Sequence, residues 1–331
     1  MRVPFFSAVL GALALCFAAG PGCSDRKAEI PPNGTADDGG GLPEDDASLP
    51  PPPKGQVAIA AYNVRAFFDT VCDTGACGPS DFEQALSPAQ FKTKADGIAG
   101  GIKRLNADVV LLEEVENQTC LDALKTRLPQ YPSAHIGETN FNGSVDVAIM
   151  AKDPIKAVKT HRQDQITLPN GQKDRFTREF LEIDLEHDGV PYTVFGAHFK
   201  SKANDDPNLR LGEAQAARLI VLARAKAEPA RLIVMGGDLN DSPGSPPINA
   251  LEVKSADGQL VRVESRDLSA DQQMSYFGGS FSSAIDHLLV PAPIVEYHVK
   301  GTTRIVGDSS NRGLGGSDHA AIIANFRFAP P

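Results

Sequence analysis

From residue 55 onward, the hydrophobic positions alternate between strand-like and helix-like spacing. Short apolar runs predict strands over 55–64, 107–117, 144–152, 231–238, 282–291 and 317–328. Apolar residues at helical spacing predict helices over 88–106, 120–128 and 208–228. Residues 178–202 predict a hairpin whose turn is His187-Asp188-Gly189. Strands, helices and a hairpin mixed in one continuous stretch argue against a purely parallel doubly wound sheet.

The first 22 residues have a different pattern, with one arginine followed by an uncharged apolar run. The run is short for a membrane span, so it predicts an export signal; a retained membrane anchor is the less favoured alternative because Gly20, Pro21 and Gly22 break the segment. Cys23 follows directly and resembles a bacterial lipoprotein cleavage site, although Gly20 stands where that pattern prefers leucine. We expect an exported lipoprotein lipidated at Cys23, at the outer membrane or cell surface, with a secreted or periplasmic protein as the alternative.

Residues 23–54 are rich in Pro, Gly and Asp and lack apolar periodicity. Such a segment cannot bury enough apolar surface to offset its chain entropy, so it predicts a disordered tether before a domain at 55–331. The chain has 331 residues, 41% of them hydrophobic, which is enough for one large domain. A formal net charge of −10 argues against a broad basic surface for duplex nucleic acid but leaves room for a local basic groove.

Three cysteines lie in the predicted domain. Cys72 and Cys77 could close a small disulfide loop in an exported protein, or Cys120 could pair with either of them. Zinc binding is disfavoured because no histidine lies near them at ligand spacing.

Polar side chains end or open most of the predicted strands. Taken singly, each fits a turn or a solvated strand end. Asp286 differs because it lies between Ile285 and Leu288, where a charge is costly without a partner such as histidine. Together the set predicts a hard-cation site with an acid/base pair. The positions are Asn63, Glu113, Glu114, His198, Asp238, Asn240, Asp286, Asp318 and His319.

The ordered strings YNV, LLEEVEN, TRE, AHFKSK, GGDLND, AIDHLLV and GSDHAAI resemble the endonuclease/exonuclease/phosphatase superfamily, especially its bacterial exported nuclease-type members. The resemblance spans about Gln56 to Phe328. It implies a four-layer α/β sandwich of the deoxyribonuclease-I type. In that fold two mixed β-sheets pack face to face, the helices lie outside, and the site lies at one edge between the sheets.

The resemblance also implies roles for individual residues. The implied metal-binding residues are Glu114, with Asn63 and Asp318 beside it. The implied catalytic residues are His198, Asp238, Asn240, Asp286 and His319. The implied phosphate-binding residues are Arg178, Asn240 and His198. Glu113 and Arg65 depart from the family pattern, since glutamine usually precedes the metal glutamate and some members carry an acid at the position of Arg65.

These roles predict a phosphoester hydrolase that uses Mg²⁺, with Mn²⁺ or Ca²⁺ as alternatives. The first hypothesis is a monomeric nuclease acting outside the cytoplasm on nucleic acid, where Asp238 or the His319–Asp286 pair activates water. A phosphatase or a sphingomyelinase-like phospholipid phosphodiesterase is the second, with a phosphorylated small molecule or a phospholipid as substrate. An inactive binding lipoprotein is the third, and in each case contact with the membrane is expected only through the lipid. Positive charge near the site is expected from Lys173, Arg175, Arg178, Lys200 and Lys202.

Overall fold

The computed structural model describes residues 48–309 and 312–330, and its regular elements follow in chain order. The strands are β1 (Gln56–Phe67), β2 (Val109–Val115), β3 (Ser133–Gly137), β4 (Asp146–Ala151), β5 (Ile155–Thr160), β6 (Ile166–Thr167), β7 (Lys173–Asp174), β8 (Leu181–His187), β9 (Val190–His198), β10 (Leu232–Asp238), β11 (Leu260–Arg262), β12 (Tyr276–Gly278), β13 (Phe281–Ser283), β14 (Asp286–Pro291), β15 (Arg304–Val306) and β16 (Ala321–Arg327). The helices are α1 (Pro88–Leu105), α2 (Gln118–Arg127), α3 (Pro207–Ala227), α4 (Pro246–Glu252) and α5 (Glu264–Asp267). Two 3₁₀ helices span Ala270–Gln273 and Ala292–Tyr297.

Two six-stranded mixed sheets form the centre of the fold, with the strand orders β15-β16-β1-β2-β4-β3 and β11-β14-β10-β9-β8-β5. Each sheet contains one parallel pair, β1 with β2 and β9 with β10, and its other neighbours are antiparallel. A parallel pair needs a crossover, which α1 supplies in the first sheet and α3 in the second. The two small hairpins are β6-β7 and β12-β13.

The side chains of β1 show how the layers are stacked. Val57, Ile59 and Ala61 belong to a core cluster that also contains the inner residues of the second sheet. Ala58 and Tyr62, on the opposite face, belong to a separate cluster that includes α1 and α2. Because successive strand residues point to opposite faces, a strand buried on both sides reads as a continuous apolar run. The predicted four-layer sandwich with helices outside is confirmed.

Helix α1 begins and ends where its sequence predicts. Ser87 and Gln90 form a capping box, and Pro88 occupies the first turn, where a missing N–H costs nothing. Asn106 ends the helix in the left-handed conformation at φ 47°.

Cys72 and Cys77 form the disulfide, and among the described residues Cys120 is a buried free thiol. The export signal at 1–22, Cys23 and residues 24–47 of the predicted tether lie outside the described residues. Within 48–54, the described part of the predicted tether, the Leu49 N–H donates to the Arg104 carbonyl, and the Leu49 carbonyl accepts from the Asn106 side chain.

No helix within 48–309 and 312–330 is both long and apolar enough to span a membrane.

Candidate active site

Six of the predicted site residues meet at one edge of the two sheets. The carboxyl ends of β1, β2, β9 and β10 reach this edge, and the antiparallel strands β14 and β16 begin there. The carboxyl ends of parallel strands are the usual location of ligand sites in α/β folds. The residues brought together are Asn63, Glu114, His198, Asp238, Asp286 and His319.

Asp238 lies at the centre of this group because of strand register. On β10 it is paired with His198 of β9 on one side and with Asp286 of β14 on the other. Its Oδ2 accepts a hydrogen bond from Asn63 Nδ2 at 3.0 Å. The same oxygen lies 3.7 Å from His198 Nε2 and 3.9 Å from His319 Nε2.

The predicted carboxylate–histidine pair is present, with His319 Nδ1 at 2.9 Å from Asp286 Oδ2. Both side chains are buried. Ser275 donates its hydroxyl to the same Asp286 oxygen at 2.6 Å. The Ser317 hydroxyl donates to the Asn63 carbonyl and accepts from the His319 N–H, which fixes the backbone just before β16. His319 is therefore held with Nε2 toward Asp238.

Glu114 reaches the site through a β-bulge. The ladders pair Glu113 and Val115 with both neighbouring strands but skip Glu114, which has φ 67°. Left-handed backbone in a non-glycine residue is strained, and bulges with such strain occur near functional sites. The Glu114 carboxylate accepts from Asn63 Nδ2 at 3.1 Å and from the Ala66 N–H at 2.7 Å. Asn63 thereby bridges Glu114 and Asp238.

Glu113 points into the interior beneath this site. It is fully buried, and neither of its carboxylate oxygens has a hydrogen-bond partner among the described residues. Burial raises the pKa of Glu113 well above its usual range, and the nearby charges of Asp286 and Asp238 raise it further. Glu113 stands where the family pattern usually has a neutral glutamine, and this environment likewise favours the neutral acid.

Gly237 lets β9 and β10 meet at the site. Its φ is 141°, and a Cβ there would lie 1.9 Å from the Ala197 carbonyl oxygen. An added Cβ at Gly236 would lie 2.5 Å from a methyl group of Leu288. A side chain at Gly237 would collide with the backbone of β9, and one at Gly236 would collide with the side chain of Leu288 on β14.

The buried charges shift the ionisation of the site. Burial alone would lower the pKa of His319, but the Asp286 charge and hydrogen bond, with Asp238 and Asp318, raise it to about 10. Burial and the Asp286 charge raise the pKa of Asp238. Burial lowers the pKa of His198 well below its usual value, and the charges of Arg178 and His319 lower it further. The pair with Asp286 therefore favours a protonated His319, whereas His198 is neutral.

The remaining predicted residues lie at the rim. Asn240, at φ 53°, and Arg178 both donate to the Phe199 carbonyl, at 3.1 and 3.2 Å. Asp318 forms an ion pair with Arg65, Nε to Oδ2, at 3.3 Å.

The predicted lysines differ in their placement. Lys202 is paired with Asp241 at 3.1 Å, and Lys200 donates to the carbonyls of Ser201 and Ala203. Lys173 lies in the separate β6-β7 hairpin. Asp241 itself is a buried structural residue that also binds Arg210 at 3.0 Å.

The donor set suits a hard divalent cation. Ligand atoms of Asp238, Asp286 and His319 lie within 4.8 Å of one another, and Glu114 adds a partly buried carboxylate through the Asn63 bridge. Carboxylate oxygens are the ligands that Mg²⁺, Mn²⁺ and Ca²⁺ prefer. The Asn63 amide oxygen accepts from the Arg65 N–H at 2.8 Å, so Asn63 is placed to orient the two carboxylates.

Sequence reasoning missed two residues of the site. Ser275 is fully buried and orients Asp286. The ring of Tyr276 lies 5.0 Å from that of His319. The string QMSYF carries no periodic or catalytic pattern, so only the tertiary structure reveals these contacts.

Comparison with known proteins agrees with this arrangement. Residues 60–319 match the sequence model of the Endonuclease/Exonuclease/phosphatase family. No curated protein matches the chain. Truncated TDP2 from Caenorhabditis elegans matches with TM-score 0.58 and 16% identity, over 82% of this chain and 97% of its own.

Two further solved structures share the fold. The endonuclease/exonuclease/phosphatase from Bacteroides vulgatus matches with TM-score 0.57 and 16% identity, over 83% of this chain and 99% of its own. D. rerio TDP2 complexed with single strand DNA product matches with TM-score 0.54 and 17% identity, over 82% of this chain and 99% of its own. At these identities the likeness establishes the fold.

Proposed function

Because this chain belongs to the endonuclease/exonuclease/phosphatase family, we propose that it is a divalent-metal-dependent phosphodiesterase that cleaves nucleic acid outside the cytoplasm. The observation that carries the proposal is the position of Asp238, whose Oδ2 faces His198 Nε2, His319 Nε2 and the amide of Asn63. Asp238 accepts one hydrogen bond on each carboxylate oxygen, from the Asn63 amide and the Asn240 N–H. The two imidazoles lie 3.7 and 3.9 Å from Oδ2, beyond hydrogen-bond distance, so this oxygen is left available to a water or an ion.

The residues of the site supply complementary chemistry for phosphodiester hydrolysis. A divalent cation held by Glu114, with Asp238 beside it, would neutralise charge on the phosphate oxygens. Neutral His198 donates from Nε2 to a phosphate oxygen, and Arg178 adds charge-assisted hydrogen bonds at the rim. Asp238 Oδ2 and His319 Nε2, 3.9 Å apart, can both contact one water between them. Asp238 accepts the proton as the water attacks, and the protonated His319, which Asp286 stabilises, donates a hydrogen bond from Nε2.

An exposed aromatic residue beside the site favours a nucleic-acid substrate. Phe281, on the β12-β13 hairpin, is 53% exposed, and its ring lies 5.7 Å from that of Tyr276, which contacts His319. An exposed ring next to a phosphate site can stack on an unpaired base. The solved complex of D. rerio TDP2 with single strand DNA product supports the same substrate class. We therefore propose single-stranded or locally opened nucleic acid as the substrate.

The activity test uses the purified chain with Mg²⁺ and labelled single-stranded DNA, RNA, sphingomyelin and a phosphomonoester. We expect cleavage of nucleic acid that EDTA abolishes. His319→Ala and Asp238→Ala should each lose at least about 10²-fold in rate, the lower range for general acid–base help. His135→Ala, on the edge strand β3, is the matched control and should keep full activity.

Each alternative substrate gives a distinct result in this test. Cleavage of sphingomyelin without nucleic acid would assign Phe281 to a lipid surface and replace the proposed substrate. Hydrolysis of the phosphomonoester alone would indicate a phosphatase. Inertness toward all four substrates would contradict the enzymatic proposal.

Two features support action outside the cytoplasm. Residues 1–22 have the pattern of an export signal, and the Cys72–Cys77 disulfide suits an oxidising compartment. We propose that Cys23 carries the lipid of a membrane-anchored lipoprotein. Mass spectrometry of the mature N-terminus should find diacylated Cys23, and a mature chain that begins after Cys23 would contradict the anchor.

A further inference from the structure

A second acidic cavity lies where the chain leaves β2, and Glu116, two residues after Glu114, lines it. It has a volume of about 250 Å³ and is lined by polar side chains from the β3-β4 loop, the end of β2 and the disulfide loop. The lining includes the carboxylates of Asp73, Glu116, Glu138 and Asp146. Glu83 lies beside it, and ligand atoms of Asp73, Glu83 and Glu116 are within 4.8 Å of one another.

Two of these carboxylates are buried and only half satisfied. Glu116 is 3% exposed; its Oε2 accepts from the Asp69 N–H, and its Oε1 has no partner among the described residues. Asp146 is 1% exposed; its Oδ2 accepts from the Thr139 N–H and the Ser144 hydroxyl, and its Oδ1 has no partner in the same part of the chain. Leaving buried charged oxygens unpaired is costly, so these atoms point to a ligand.

Nearby cations do not neutralise this cluster. Within the described residues, none of the five carboxylates lies within 4.0 Å of a lysine, arginine or histidine nitrogen. Arg162 approaches the cavity through Phe141, with its guanidinium 5.0 Å from the centre of that ring. Glu83 is held in place by the N–H groups of Asp73 and Thr74.

We propose that this cavity is a Ca²⁺ site separate from the active site, with Asp73, Glu83 and Glu116 as its carboxylate ligands. Ca²⁺ takes six to eight oxygen ligands in irregular geometry, and loops with amide and carboxylate side chains provide such a set. Asn140 and Asn142 line the same cavity. Mg²⁺ prefers a regular octahedron and retains its waters, so it fits a loop-built site less well.

The ion would join three segments that flank the active site. Gly143, at φ 64°, brings the β3-β4 loop against Glu83, because a Cβ there would lie 2.8 Å from Glu83 Oε2. Glu116 follows Glu114 by two residues and binds the backbone of Asp69 just after β1. Bound Ca²⁺ therefore stabilises the loops that follow β1 and β2, independently of the chemistry at Asp238.

The test compares Ca²⁺ binding by calorimetry in Asp238→Asn and in the double variant Glu116→Gln/Asp238→Asn. The first substitution weakens cation binding at the active site, so the remaining binding should report the second cavity. We expect one Ca²⁺ to bind to Asp238→Asn, with at least about tenfold weaker binding in the double variant. Asp188→Asn, in the exposed β8-β9 turn, replaces Glu116→Gln in the control and should leave binding unchanged.

Thermal unfolding separates loss of a ligand from loss of a structural hydrogen bond. After Glu116→Gln, the side-chain oxygen can still accept from the Asp69 N–H, so in EDTA this variant should unfold at the same temperature as the parent or higher. The increase in unfolding temperature that Ca²⁺ gives the parent should disappear in the variant. Equal Ca²⁺ binding in the two Asp238→Asn backgrounds, no binding in either, tighter binding of Mg²⁺ than of Ca²⁺, or equal destabilisation with and without Ca²⁺ would each overturn the proposal.

Discussion

His319 Nδ1 and Asp286 Oδ2 are 2.9 Å apart. The contact joins His319, two residues before β16 of the first sheet, to the first residue of β14 in the second sheet. Because the Asp286 carboxylate stabilises the protonated imidazole, Asp286→Asn should leave His319 in place but shift it toward its neutral form. We expect kcat on nucleic acid to fall by roughly 10²–10⁴-fold with little change in KM. Initial rates across substrate concentrations measure kcat and KM separately.

Ser275→Ala is the comparison variant for this pair. It removes one hydrogen bond to Asp286 and leaves the carboxylate–imidazole contact, so its loss of kcat should be much smaller. An Asp286→Asn enzyme with wild-type kcat would show that the pair has no part in catalysis.

Asn63 controls the spacing of Glu114 and Asp238, since its amide donates to both carboxylates. Asn63→Ala should raise the Mg²⁺ concentration for half-maximal activity by about 10–100-fold, the usual effect of losing a residue that orients metal ligands. Activity titrated against Mg²⁺ measures this, and saturating Mg²⁺ should restore much of the rate. Asn249→Ala, at the exposed start of α4, is the matched control; an unchanged Mg²⁺ requirement in Asn63→Ala would contradict the bridging role.

Glu113 should tolerate conversion to its amide. Because burial favours the neutral acid, Glu113→Gln should keep wild-type activity, whereas Glu114→Gln should lose it. The raised pKa of Glu113 means that the folded protein retains a proton that the unfolded chain releases above about pH 4.3. The free energy of unfolding of wild type should therefore fall relative to that of Glu113→Gln as pH rises. Urea unfolding at pH 5, 7 and 9 tests this; a loss of activity in Glu113→Gln would indicate that the carboxylate itself is needed.

His161 provides a pH dependence far from the chemistry. It is buried between Asp164 at 2.8 Å and Glu182 at 2.9 Å. Burial alone would lower the pKa of His161, but the bonds to Glu182 and Asp164 raise it. A raised histidine pKa gives stability that is complete below the unfolded value of about 6.5 and is lost as pH rises through the folded value.

The free energy of unfolding of wild type minus that of His161→Gln should therefore decrease from pH 6 toward pH 9. Denaturant titrations at these pH values measure it. A difference that increases with pH would mean that His161 is neutral in the folded protein.

Local sequence predicted most of the elements that carry the site. The strand 231–238 is observed as Leu232–Asp238, and the helix 208–228 as Pro207–Ala227. These segments combine strong periodicity with clear end signals. The predicted strand 282–291 was too long, because the chain forms β13 first and starts β14 at Asp286. The SSAI stretch at 282–285 contains no glycine or proline that would signal a break between two strands.

The elements that were missed depend on tertiary contacts. β5 is an edge strand, exposed along most of its length, so its sequence IKAVKT lacks a clear apolar face. β3, with the sequence SAHIG, is short and pairs with only one neighbour. Likewise, the motif order predicted which residues form the site, but the bulge at Glu114 and the buried state of Glu113 follow from ladder register.

The two sheets hold different parts of the catalytic apparatus. Asn63, Glu114 and His319 come with the first sheet, and His198, Asp238 and Asp286 with the second. Neither sheet contains all the catalytic residues, so a partly folded chain with only one sheet formed should have no hydrolytic activity. Turnover therefore reports whether the two halves are docked, and activity should disappear in a single step with global unfolding even if the helices outside fray earlier.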